Sequence, residues 1–304
     1  MHKLFEVHYG GGEWQDEHKR LSEDFSQLFD EEKDKLGDLP RECDRLMRSY
    51  LWHYGASDPW HVLEVELVLE TDLPDGRIYR GRIDLLVETP FGLYIVDHKT
   101  HKTLPDMNDR LLDAASALYL WAALRNKIPV QGFIWNYVKT KAPTVPKLAY
   151  AGTRRERLST RTIDTDYPTM YRALKKYGMP LADHAERLAW LKSQRYQHGE
   201  PQSSSFFRRD TLHKSPEVLR QIAREALHTS KRMHEYPWDR VGHIERVPER
   251  SCKYMCSYMD LCTVELFSGT ASPAANNIRR QRFTTGDPMD YYYDDPKVQW
   301  KEEG

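Results

Sequence analysis

Apolar residues recur every three or four positions through "EWQDEHKRLSEDFSQLFDEEKDKLG" and again through "PRECDRLMRSYLWHYG", with a Gly-Asp-Leu-Pro break between them. That spacing predicts helices over residues 13–54. The period then shortens to two. In "HVLEVELVLE", Leu63, Val65, Leu67 and Leu69 alternate with Glu64, Glu66 and Glu70, the pattern of a half-buried strand. "DGRIYRGRIDLLVE" and "FGLYIVDHKT" read as two more strands behind short Gly/Pro turns. "RLLDAASALYLWAALRN" is apolar almost all round, which predicts a largely buried helix, and "VQGFIWNYVKT" reads as a further strand. Residues 141–215 are basic and loop-rich around helical stretches near 167–195, and "PEVLRQIAREALHTSKRMHEY" predicts an amphipathic helix. From 269 onward the chain is polar and punctuated by Pro and Gly, the composition of a poorly ordered tail. No internal repeat is visible.

The strands "IDLLVE" and "GLYIVDHK" are joined by "TPFG", a length that favours an antiparallel hairpin. A turn centred between Pro90 and Phe91 sets Asp84 opposite Asp97, with Cβ atoms about 4.5–5.5 Å apart. Lys99, two residues on, shares their face. A turn displaced by one residue would put the two acids on opposite faces. The plain alternative is a solvated sheet face with Lys99 as an ordinary ion-pair partner. Against it, Ile83, Leu85, Ile95 and Val96 surround the acids and mark a central strand, where a buried acid needs a partner. Two facing carboxylates repel unless something neutralises them, and a divalent cation does so. Mg²⁺ suits the pair: it takes oxygen ligands, keeps several waters and leaves room for a substrate phosphate. The Lys99 ammonium would orient the attacking water or stabilise charge developing on the phosphate.

Composition narrows this chemistry. The chain has 304 residues, 39% hydrophobic and 12% aromatic, enough for one large domain or two ordinary ones. No run of about 18 apolar residues occurs and "MHKLFEVHYGG" lacks the apolar core of a signal peptide, so a cytoplasmic protein without a membrane span is expected. The formal net charge is −1, so any polyanion has to be held by a local basic patch. Arg154, Arg155 and Arg157, with Arg208 and Arg209 beside Phe206 and Phe207, are the candidate patch: phosphate neutralisation with a stacking platform for a single strand.

"GRID" and "VDHKT", whose acids lie thirteen residues apart, resemble the PD-(D/E)xK nucleases. The resemblance is to the RecB-like nuclease domain and the CRISPR-associated iron-sulfur exonucleases, with their bacteriophage-encoded relatives. It runs from the N-terminus to about residue 268. It implies an α/β, restriction-endonuclease-like core, with a mixed central sheet flanked by helices. The implied organisation is a nuclease domain over 1–268, including a cysteine-cluster region at 248–268, and a polar tail over 269–304. By the same resemblance Asp84 and Asp97 are the metal-binding acids, for Mg²⁺ or Mn²⁺, and Lys99 is the catalytic lysine. His2 matches an upstream histidine ligand, and Tyr119, ending "ASALY", matches the tyrosine of a Gln-x-x-x-Tyr helix motif. Two features depart from the pattern. Ala115 stands where the family has glutamine, removing an amide expected to position DNA or the lysine. Relatives also carry a segment with the first cluster cysteine ahead of the histidine, whereas this chain begins almost at it.

Four cysteines are present, Cys43, Cys252, Cys256 and Cys262. The spacing C-x-x-x-C-x-x-x-x-x-C of the last three is neither a paired zinc knuckle nor a ferredoxin run. It resembles the C-terminal part of the four-cysteine exonucleases, in which such thiolates hold a structural 4Fe-4S cluster. Cys43 is the candidate fourth ligand, but its position after the histidine does not match the family's first cysteine. Zinc is the alternative metal, and unligated cysteines the third possibility.

The resemblance implies a metal-dependent DNA exonuclease acting on single strands or ends in recombination, repair or replication, beside a helicase or recombination protein. In a bacteriophage relative the compartment would be the host cytoplasm. Two other readings stand beside it: a catalytically weakened, nuclease-like DNA-binding or scaffold protein, and a zinc-bearing interaction module.

Overall fold

Strand pairing follows the period-two stretches. A computed structural model of the chain describes residues 1–55, 58–105, 113–150, 152–153, 157–158, 164–195, 204–235, 258–269 and 271–282. Three long strands come from the alternating and apolar segments: β1 (His61–Asp72), β2 (Ile78–Thr89) and β3 (Gly92–His101). They pair antiparallel in sequence order. The helix α5 (Ala114–Arg125) then carries the chain across to β4 (Val130–Lys139), which pairs parallel to β3. The fifth strand, β7 (Phe207–Leu212), closes the sheet antiparallel to β4, giving the order β1-β2-β3-β4-β7. The fold is therefore a mixed α/β sheet flanked by helices, as the sequence predicts.

Ahead of the sheet lie α1 (His2–Tyr9), α2 (Trp14–Ser26), α3 (Asp30–Leu36) and α4 (Leu39–His53). The long predicted helix is broken into α2 and α3 around Gln27–Phe29, where the Phe29 N–H donates to the Glu32 carboxylate and starts a new helix. Between β4 and β7 stand the short strands β5 (Leu148–Ala149) and β6 (Arg157–Leu158), then α6 (Tyr167–Lys176) and α7 (Ala185–Ser193).

The sheet has a core on each face. On one side Ile95, Phe133, Trp135 and Tyr137 meet Ala117 and Leu120 of α5. On the other, Val138 and Phe207 meet Phe5 of α1 and Tyr50 of α4, while Val96 and Ile134 join Leu85 and Val87 in a smaller cluster. A satellite core of Leu158, Met170, Leu174, Leu188 and Leu191 holds β6, α6 and α7 together.

Two compact units divide the chain, Met1–Thr229 and Ser230–Gly304. The sequence reading instead sets its division at 268/269. The helix α8 (Pro216–Glu235) begins in the first unit. In the second, α9 (Met259–Ser268) and α10 (Pro273–Arg282) are tied by the Arg279–Glu265 and Arg282–Asp260 ion pairs. Within the segment expected to be a poorly ordered tail, Pro273–Arg282 forms α10; residues 283–304 lie outside those described. Among the described residues no helix is long and apolar enough to cross a membrane.

Candidate active site

The hairpin expected from "TPFG" is present in the expected register. Thr89 pairs with Gly92 and the ladder runs to Leu85↔Val96, so Asp84 and Asp97 occupy the next position along it. There the hairpin opens. The Asp84 carboxylate accepts a 2.6 Å hydrogen bond from the backbone N–H of His98, in the position a ladder bond would take.

A change of facing accompanies the opening. Ile83 and Leu85 are two residues apart and should share a face, yet they belong to different core clusters. Leu67 and Val65, their partners on β1, divide the same way. Between those partners lies Glu66, with φ of 53°, a conformation a non-glycine residue rarely adopts outside functional or strained positions. Glu66 thus stands across from Asp84, and its Oε2 lies 3.5 Å from Nη1 of Arg82. Glu66 is not recognisable as a site residue in the sequence, because its place in a regular alternation marks it as an outward-facing strand residue.

Burial and like charge act together on the acids. The Asp97 side chain is 8% exposed, and Lys99 Nζ lies 2.7 Å from its Oδ2. That short contact is what neutralises the buried Oδ2 in the free protein. Burial raises the Asp84 carboxyl to about 6, with Glu66 adding to the rise and the His98 N–H and Lys99 opposing it. Burial likewise raises Asp97 to about 6, reinforced by Asp84 and opposed by Lys99 and His2. His2 reaches the site from α1, its Nδ1 3.6 Å from Asp84 Oδ2. Burial lowers its pKa, which keeps the imidazole neutral near pH 7.

Two buried carboxylates whose pKa values are raised by burial and by their negative neighbours form a hard, oxygen-rich donor set that fits a divalent ion such as Mg²⁺. No three His, Cys, Asp or Glu side chains are gathered into a ready-made ligand group among the described residues. Such an ion would therefore complete its shell with water and phosphate, as Mg²⁺ commonly does.

Behind the site, on the opposite face of β3, a buried polar network holds His98. Its Nδ1 sits 2.7 Å from the Asn136 amide, which also donates to the Tyr50 hydroxyl at 2.9 Å. Phe5 stacks on its ring at 4.6 Å, and burial drives its pKa well down, so the ring is neutral. Arg209 completes the network. Its two Nη atoms each lie 2.8 Å from Asp58 oxygens, Nη2 also donates to Tyr50, and the guanidinium lies between the rings of Tyr54 and Trp60 at 3.6 and 3.3 Å.

This placement corrects the expected DNA patch. Arg209 is buried and committed to Asp58. Phe206 and Phe207 are core residues, not a stacking platform. Arg208 pairs with Asp210 and donates to the Pro105 carbonyl. Arg154 and Arg155 lie outside the described residues. Tyr119 stacks parallel to Phe133 at 6.2 Å and presses on Gly81, where a Cβ would come within 2.7 Å of its ring. Ala115 is exposed at the start of α5. Of the cysteines, Cys43 lies on α4 and Cys262 on α9, neither in a disulfide; Cys252 and Cys256 lie outside the described residues.

A mixed sheet that opens beside two buried carboxylates and a lysine defines the class of metal-dependent phosphodiester hydrolases. The model of the PD-(D/E)XK nuclease superfamily matches residues 1–263, and the chain belongs to that superfamily, whose members are metal-dependent nucleases that usually use Mg²⁺ or Mn²⁺. Comparison with curated proteins gives no match. Among solved structures, one titled "Crystal structure of SSO0001" is similar over 57% of this chain and 74% of that one, at 16% identity and a TM-score of 0.21, a likeness too weak to carry the fold.

Proposed function

We infer that the protein is a Mg²⁺- or Mn²⁺-dependent deoxyribonuclease of exonuclease type, acting on single-stranded DNA or DNA ends in recombination, repair or replication. The observation that carries this reading is the adjacent pair Asp84 and Asp97, both with raised pKa values and with Lys99 at 2.7 Å. Asp84 and Asp97 would hold the ion, with the neutral His2 imidazole as a further ligand. When bound, such an ion lowers the pKa of a coordinated water and polarises the scissile phosphorus–oxygen bond. Lys99 shares its charge with Asp97 in the free protein. Once that carboxylate is otherwise neutralised, its ammonium is released toward the phosphate or the attacking water. The His98 N–H fixes the Asp84 carboxylate, so the network behind β3 positions the site without touching substrate.

Action in the cytoplasm, of the host if the protein is of bacteriophage origin, is carried over from the sequence reading, and work beside a helicase or recombination protein and a 4Fe-4S cluster on Cys252, Cys256 and Cys262 come from the resemblance. Absorbance and metal analysis of anaerobically purified protein separate that cluster from zinc.

The test is incubation of labelled linear and circular single strands and linear duplex with Mg²⁺ or Mn²⁺, beside Asp97→Ala and Lys99→Ala. Stepwise loss of linear strands that both substitutions abolish is the expected result. Cleavage persisting in both variants would remove the reading. Binding without cleavage in the wild type would favour the weakened, DNA-binding alternative, for which the exposed Ala115 in place of a glutamine speaks.

A further inference from the structure

The facing change between β1 and β2 also redirects a charge. Gly81 and Ile83 face α5: a Cβ at Gly81 would meet the Tyr119 ring, and Ile83 packs in the core with Ala117 and Leu120. Leu86, three residues past Ile83, belongs to the same core. Strand residues three apart share a face only if the strand turns over between them. Counted back from Leu86, a regular strand would set Arg82 beside Asp84, about 7 Å along it, on the face where Lys99 stands 5.5 Å from the Trp135 ring centre. A guanidinium there would bind the Asp84 carboxylate and occupy the oxygens a divalent ion needs.

The turn-over sends Arg82 the other way. Counted from Ile83 it points away from α5, and its Nη1 lies 3.5 Å from Glu66 Oε2, the two side chains being 15% and 17% exposed. At that burial the attraction is little screened. Glu66 also feels the charges of α1: burial and Glu6 push its carboxyl up, while Arg82 and Lys3 hold it down. Its φ of 53° persists in a non-glycine residue only where the surroundings over-determine it.

We propose that Glu66 is a positioning residue that holds Arg82 away from Asp84, leaving that carboxylate open to the ion. The inference rests on the nuclease reading above and deepens it by naming what keeps the donor set accessible. Glu66 itself stays off the ion, its carboxylate committed to Arg82.

Calorimetric titration of the full chain with Mn²⁺, without nucleic acid, tests this. Glu66→Gln keeps the side chain's size and releases Arg82, so it should weaken Mn²⁺ binding about 10–100-fold, the range for losing a residue that orients metal ligands. Arg82→Gln alone should leave the affinity near that of the wild type, because the guanidinium is already held aside. Glu66→Gln/Arg82→Gln should restore it. Were Glu66 a ligand of the ion, removing Arg82 would not restore binding; were it acting only through its charge, Arg82→Gln alone would tighten binding as much as Glu66→Gln weakens it. Either result overturns the proposal. If Glu66→Gln fails to fold, Glu66→Gly, which adopts the positive φ without strain, should show the same loss and the same rescue. Mn²⁺ binding that Asp97→Asn abolishes and Glu66→Gln leaves untouched sinks this inference alone. A wild type that binds no more Mn²⁺ than Asp97→Asn sinks the metal site and the nuclease reading with it.

Discussion

A single buried guanidinium ties together parts of the chain that are remote in sequence. Arg209 bonds Asp58 twice and reaches Tyr9 and Tyr50, with a longer contact to Asn136. Removing one partner of a buried ion pair leaves the other uncompensated, which costs about 3–5 kcal/mol. Arg209→Ala should therefore lower stability by about that much in urea melts, and Arg209→Lys should not rescue it, because lysine lacks the planar fork. Arg208→Ala, at a part-exposed pair, should cost under about 1 kcal/mol. At Asp97 the sign is opposite. Its raised pKa means that the folded chain binds a proton more tightly than the unfolded one, so the site is least costly below about pH 4 and stability falls as pH rises through about 6. In metal-free buffer Asp97→Asn should stabilise the protein near pH 8 by about 1–3 kcal/mol, a gain that fades toward pH 4.

At the scale of elements, what positions the acids is a strand pair that changes facing at Glu66 and Asp84. Three residues before Asp84 the strand packs closely against α5 at Gly81, where a Cβ would press on the Tyr119 ring. Gly81→Ala should cost about 1–3 kcal/mol of stability and lower activity together. In a Tyr119→Ala background most of that stability cost should vanish, which a double-mutant cycle measures. Such details bound what the sequence could disclose. The hairpin register was legible because turn length and apolar flanks agree, whereas the role of Glu66 was not, since a positive φ leaves no trace in residue type when the residue is glutamate. β7 was missed for a related reason. "FRRDTL" reads as a charged loop, and only the pairing of Arg209 with Asp58 lets an arginine stand where the alternation requires an inward side chain. The same residue, taken from sequence as a phosphate contact, became a core residue.

For the molecule as a whole, the acids couple stability to metal and to pH. Divalent ions bind deprotonated carboxylates, so saturating Mg²⁺ should raise the melting temperature near pH 8, and the increment should shrink as pH falls through about 6. Calorimetry over that range, with Asp84→Asn/Asp97→Asn as the control that loses the increment, checks this. The strand and helix segments were readable from apolar patterning, and the resemblance implied the α/β class they build; the near-continuous burial of β3 and β4 marks them as central strands. The division at 229/230 was not readable, since α8 runs through it without a break in amphipathic pattern.

The sheet order has a consequence for biosynthesis. β4 accepts β7 along one edge, and everything from Thr140 to Phe206 must be made before that partner exists. Until then an aromatic-rich ribbon, "FIWNY", presents an unpaired edge to the ribosome-bound nascent chain's neighbours. Premature termination before Phe207 would leave that edge permanently open, so truncated products should accumulate as insoluble material and call on chaperones.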